Sequence, residues 1–171
     1  MTARRALDVL YDAAGGLAAL FMVGTLAMVL TGIATRLVNG FVPGTDAYAG
    51  YCMAASGFLA LAHTFRRGEH IRVTLILEHV GMKARRGLEL WSLTAATVLG
   101  AAFAFYSAKL AFQSWDFNDI STGNDATPLW IPQLAMAFGS LVFAIALVDA
   151  LVLEWQGKRA HATSKEALHN E

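Results

Sequence analysis

The chain has 171 residues, of which 56% are apolar and 15% charged, against about 25% charged in an ordinary soluble domain. A domain this small has much surface per unit volume and needs polar residues to cover it, so the composition argues against a soluble globule. Thirteen basic and thirteen acidic residues cancel and there is one cysteine, Cys52; nucleic-acid binding by bulk charge, an intrachain disulfide and a cysteine-based metal site are all excluded.

The positions of the charges organise the rest. Four stretches carry none: Ala13 to Thr35, Ala47 to Phe65, Leu90 to Ala108 and Ala126 to Val148, together 84 residues. Each is about the length of helix that crosses a hydrocarbon core. The expected architecture is an all-α integral membrane protein. Its single domain covers residues 1–155, with four transmembrane helices over about 13–35, 47–65, 90–115 and 128–155. The first stretch follows Arg4 and Arg5. It is longer than a signal-peptide core and no small-x-small cleavage site follows it, so it is expected to be retained.

The first connection, RLVNGFVPGTD, is short and turn-like, with Arg36 and Asp46 at its ends. The middle segment, RRGEHIRVTLILEHVGMKARR, is amphipathic when read as a helix: Val73, Ile76, Leu77, Val80 and Ala84 share one face, with charges between the stripes. An interfacial helix over about 70–86 is expected, its basic residues toward headgroups. Arg66, Arg67, His70, Arg72, Lys83, Arg85 and Arg86 are the candidates for lipid or subunit contact there. The second connection, FNDISTGNDATP, is acidic through Asp116, Asp119 and Asp125, and Thr127–Pro128 reads as a capped helix start. Residues 156–171 form a polar C-terminal tail.

Eleven of the 13 basic residues lie in the two tails and the middle segment. Positive charge marks the cytoplasmic side, so both termini are expected there. Trp91 and Trp155 fall at that face and Trp115 and Trp130 at the other, as indole rings prefer the water–lipid boundary.

Catalytic chemistry has little to work with: no phosphate loop, metal-ligand cluster or nucleophile–base pair stands in the sequence. His63 is the one histidine inside a span, so a membrane cytochrome subunit needs a ligand from elsewhere. A stand-alone four-helix transporter needs a carboxylate inside a span; Asp149 comes nearest. What the spans do hold is small residues at i+4 spacing: Ala96, Gly100, Ala104 and Ala108 on the third, Ala135 and Gly139 on the fourth. Such stripes let helices approach closely in lipid. An accessory subunit fits these features, with no cofactor expected in the chain.

Two segments carry a family resemblance: GFLALAHTFRRGEHIRVTLIL, Gly57 to Leu77, and ATPLWIPQLAMAFGSLVFAI, Ala126 to Ile145. They resemble the small membrane subunit, DctQ type, of tripartite ATP-independent periplasmic (TRAP) transporters. The likeness departs where the family often has an acid early in the second span and an aspartate after His-Ile-Arg-Val; here Thr74 stands at the latter place. The resemblance implies a bacterial or archaeal inner-membrane location and sodium-coupled uptake of an organic acid. It also implies a large elevator subunit that holds the sodium and that this chain braces, and a periplasmic solute-binding protein. Arg36, Asp46, Asp119 and Asp125 are then candidates for receptor contact at the outer face.

Overall fold

The computed structural model describes residues 2–67 and 82–156. Within them the chain forms four helices: α1 (Thr2–Leu37), α2 (Thr45–Arg66), α3 (Met82–Asp116) and α4 (Trp130–Trp155). No strand is present among the described residues, and the one β-bridge, between Ile120 and Pro128, is isolated. Three helices, α1, α3 and α4, are long and apolar enough to cross a membrane. At 22 residues α2 is long enough but less apolar. Its glycines, Tyr48, Tyr51, Ser56, His63 and Thr64 lower its hydropathy. Its position explains why: it lies between α1 and α4, so much of its surface meets protein.

Two of the helices start two turns or more before their uncharged stretches. α1 runs through Arg4, Arg5, Asp8 and Asp12 to the start of the chain; at 1.5 Å per residue it is roughly 54 Å long. α3 begins at Met82, so residues 82–86 belong to it and not to a separate interfacial helix. Met, Lys, Ala, Arg, Leu and Glu favour helix, and Arg85 pairs with Glu89 one turn on at 3.2 Å. The remainder of the expected interfacial helix, with His70 and Arg72, lies outside the described residues.

Asparagine stops both helices that run into the loops. Asn39 takes φ 55 and Asn118 φ 53. At the first, the Gly40 N–H donates to the Thr35 carbonyl and the Asn39 N–H to that of Arg36. At the second, the Asp119 N–H donates to Ser114 and the Asn118 N–H to Trp115. This paired pattern is the Schellman motif, and asparagine tolerates its left-handed residue. α4 starts two residues later than Thr127–Pro128 suggested. The second loop first closes on itself through Ser121 N–H to the Thr127 carbonyl and Leu129 N–H to that of Asp119. Pro132 then falls in the first turn, where its missing N–H costs no intrahelical bond.

The helices pack in the order α1, α2, α4, α3: α1 lies on α2, α2 on α4 and α4 on α3. α1 reaches α4 at one end, where Tyr11 and Ala14 cluster with Ala62, Val142 and Ala146. The close join is α2 on α4. A Cβ built on Gly139 would stand 2.6 Å from the Phe58 carbonyl carbon and oxygen and 2.9 Å from the Leu59 nitrogen. The backbones therefore touch there. α3 meets α4 through Ala104, Ser107, Ala111 and Ser114, all buried. Of the expected stripe, Gly100 meets Leu147 of α4 and Ala104 is buried, while Ala108 is exposed and lies off the line. Steps of four residues advance 400° and drift 40° each time round the helix, whereas alternating steps of three and four hold one face.

These contacts give an asymmetric expectation for two glycines. Gly139 faces backbone, which cannot yield; Gly100 faces the Leu147 Cδ1 at 2.7 Å, the end of a flexible side chain. Gly139→Ala should lower stability by about 2 kcal/mol, as overpacking does, and Gly100→Ala by much less. Thermal unfolding of the two variants in detergent checks this; equal losses would contradict it.

Candidate functional site

Chemistry-bearing side chains collect at the two ends of the bundle. At one, Arg66 ion-pairs with Asp8, and Arg86 Nη2 donates to the Trp155 carbonyl at 3.4 Å. The start of α1, the end of α2, the start of α3 and the end of α4 therefore share this basic end. The other end holds the two loops.

At the basic end Arg66 also lies over the Tyr11 ring, 5.3 Å from its centroid. His63 Nδ1 stands 3.4 Å from Asp12 Oδ1. Tyr11 is 1% exposed, and its hydroxyl has no hydrogen-bond partner among the described residues. Asp149, half-buried on α4, lies near enough to act electrostatically on that hydroxyl. Of the contact candidates here, Arg66 is thus engaged within the chain, Arg85 pairs with Glu89, and Arg86 covers a helix-end carbonyl. Arg67 is exposed, and Lys83 opens α3. The sequence reading missed Asp8, Tyr11 and Asp12. Their i, i+3, i+4 spacing, just before the uncharged run, is the signal that marks them as one helix face.

At the loop end the centre is Asp125. Ser121 Oγ donates to its Oδ1 at 2.8 Å and Tyr51 Oη to its Oδ2 at 2.9 Å. Burial by itself raises the Asp125 carboxyl, but bonds from Thr127, Ser121 and Tyr51 outweigh it and hold the group at about 2. Thr127 Oγ1 also lies 3.3 Å from the Tyr48 hydroxyl. The Asp125 Cβ presses on Gly44, where a Cβ would lie 2.8 Å away. Gly44 has φ 80, so glycine meets two demands at once: a left-handed backbone and no room for a side chain. Asp125 thereby pins the second loop to the first and to α2.

The outer-face candidates consequently divide. Asp125 serves as an internal tie. Arg36 and Asp46 bond to each other at 3.0 Å, both largely exposed, and a pair this open contributes about 0–1 kcal/mol. Asp119 is exposed and bonds through its backbone. Among the small-residue candidates, Ala104 and Gly139 are buried, while Ala96, Gly100 and Ala135 are half-buried.

Among the described residues no group of three or more His, Cys, Asp or Glu is placed to hold a metal ion. Four packed helices, three able to cross a bilayer, with polar chemistry confined to the two ends, define a multi-pass membrane protein. The family model of the tripartite ATP-independent periplasmic transporters, DctQ component, matches residues 25–157, well over half of the chain. The chain belongs to that family, a family of transporter components and not of enzymes. No curated protein matches it.

The Asp125 tie has a pH signature. A depressed carboxyl stabilises above its unfolded value of about 3.9 and loses that contribution as pH falls toward its folded value of about 2. Backbone protection of residues 119–128, measured by hydrogen exchange corrected for intrinsic rates, should hold from pH 7 to about 4 and fall below it. Asp125→Asn should lower it several-fold at pH 7. Unchanged protection in the variant would contradict the tie.

Proposed function

We propose that this chain is the small membrane subunit of a sodium-coupled, binding-protein-dependent importer of an organic acid. It braces the scaffold of a large membrane subunit that carries the substrate and sodium sites. Membership of the transporter-component family carries this reading. The distribution of apolar surface supports it. α1 and α3 leave most of their apolar windows uncovered, whereas α4, in the middle, buries 44% of its own. α1 exposes aliphatic side chains such as Leu20, Val23, Leu26 and Leu30; α3 exposes Phe103, Phe105, Phe112 and Trp115. Lipid and a second membrane subunit are the surroundings that such faces fit.

In this reading α2 is the fourth span, and its lower hydropathy reflects its protein neighbours. The basic end, with Arg4, Arg5, Arg67, Arg85 and Arg86, faces the cytoplasm of a bacterial or archaeal cell, and the positive-inside rule supports that orientation. Arg67, His70, Arg72 and Lys83 meet anionic headgroups or the large subunit. The loop end faces the periplasm, where exposed Asp119 and the Arg36–Asp46 pair are available to a solute-binding protein.

Orientation is tested with single cysteines at positions 124 and 164 in a Cys52→Ala background. An impermeant thiol reagent on intact cells should label 124 and spare 164; the reverse would overturn the topology. The subunit role is tested by sodium-driven uptake in proteoliposomes with receptor present. This chain alone and the large subunit alone should be inactive, and the two together active. Uptake by this chain alone would overturn the scaffold reading.

A further inference from the structure

The loop end carries a pocket of about 230 Å³ between the end of α1, the start of α2 and the Gly123–Asn124 turn of the second loop. That is below the roughly 300 Å³ at which drug-sized sites begin, and leaves room for a small polar group. Arg36 and Asp46 both line it and bond to one another, with 71% and 85% of their side chains exposed. The pocket thus offers one charge of each sign to a visitor.

Its inner wall is the opening of α2. The N-cap residue is Gly44, and no side chain caps the helix. The N–H groups of Thr45, Asp46 and Ala47, all pocket residues, therefore have no intrahelical acceptor. Uncapped N–H groups and the positive end of the helix dipole favour an anion. Thr45 is an independent observation. It is 6% exposed, it lines the pocket, and its hydroxyl has no hydrogen-bond partner among the described residues. That hydroxyl is not among the solvent-excluded unpartnered groups, so it opens toward the pocket, where an acceptor would receive its hydrogen bond. A methyl at Gly32 would stand 3.1 Å from the Thr45 Oγ1, so glycine on α1 keeps this corner open.

The surroundings identify the visitor. The candidate span in α1 ends at Leu37, which places the pocket at a membrane boundary. Beside it Leu37, Val38 and Phe41 are 79%, 76% and 77% exposed. A pocket of two signs with an apolar apron, at the end of a span, matches the headgroup layer and the first methylenes beneath it.

We propose that this pocket holds the headgroup of a phosphatidylethanolamine. Arg36 and the N–H groups opening α2 receive the phosphate, Asp46 receives the ammonium, and the acyl chains start along Leu37, Val38 and Phe41. The proposal rests on the reading of α1 and α2 as membrane spans. Each partner of the Arg36–Asp46 pair exchanges its neighbour for a group of the same sign, so no charge is left uncompensated. A choline headgroup has no N–H to give Asp46, so the ethanolamine lipid is preferred.

The test is native mass spectrometry of the full chain released from nanodiscs of equal phosphatidylethanolamine and phosphatidylcholine. One phospholipid should be retained, with ethanolamine favoured at least fivefold. Arg36→Gln should lower retention of both lipids at least fivefold. Asp46→Asn should remove the preference, and Gly32→Ala, which alters no charge, should lower retention. Lys109→Gln, at the same end but outside the pocket, should change nothing. Inorganic phosphate and glycerophosphoethanolamine at millimolar concentration should not displace the lipid. Equal retention by the wild type and Arg36→Gln, or no ethanolamine preference in the wild type, would overturn the proposal. Displacement by inorganic phosphate would do the same, since it marks a site for a soluble anion. Labelling of positions 124 and 164 reports on the span reading separately, so loss of lipid retention with the expected labelling pattern counts against the pocket alone.

Discussion

The structure depends on the contact of two backbones at Gly139. α1 is carried mainly by α2, and α3 by α4, so the two halves are held together where α2 crosses α4. At that crossing the Phe58 carbonyl lies so close that any side chain on Gly139 must displace it. In lipid no hydrophobic effect pulls helices together, and close van der Waals contact has to supply the attraction. Glycine allows the approach, and the buried Ala55, Leu59 and Ala62 of α2 and Val142 and Ala146 of α4 extend it along the interface.

Each end of the bundle then adds a polar tie that the crossing alone does not provide. At the loop end Asp125 joins the second loop to Tyr51 of α2 and to Gly44. At the basic end Asp8, Tyr11 and Asp12 fasten α1 to Arg66 and His63 of α2. These ties lie where water and headgroups can solvate charge, so the hydrocarbon depth between them stays free of ionised groups. A body fixed at its centre and at both ends suits a component that holds its shape while a partner moves, which is the role proposed for it.

Much of this was legible in the sequence because the bilayer imposes a coarse rule. A span must be about 20 residues without charge, and scanning for that found all four helices. The same rule misplaced their ends. It could not follow α1 through Asp8 and Asp12 or α3 back to Met82, because helix continues into polar sequence when propensity allows. Gly100 and Gly139 looked alike as members of small-residue stripes; only the structure separates a glycine facing a leucine methyl from one facing a backbone. Asp125 looked like one of three outward acids. What sets it apart is Ser121 four residues before it and Tyr51 on another helix, and the second of these is a tertiary contact that spacing cannot announce. The Asn39 and Asn118 stops did have a local signal, an asparagine just past an apolar run, that the reading by charge passed over.

The central claim, that this chain is a fixed scaffold joined through α2 and α4, is tested most directly by locking that join. The Phe65 and Phe143 rings meet edge to face with centroids 5.7 Å apart, so cysteines at these two positions, in a Cys52→Ala chain, should be joined by a short bifunctional methanethiosulfonate reagent, whose arm fills the space the rings leave. The account expects efficient cross-linking and sodium-driven uptake by the assembled transporter that is the same before and after it. Failure of the pair to cross-link would contradict the packing, and uptake lost on cross-linking and restored on reduction would contradict the scaffold.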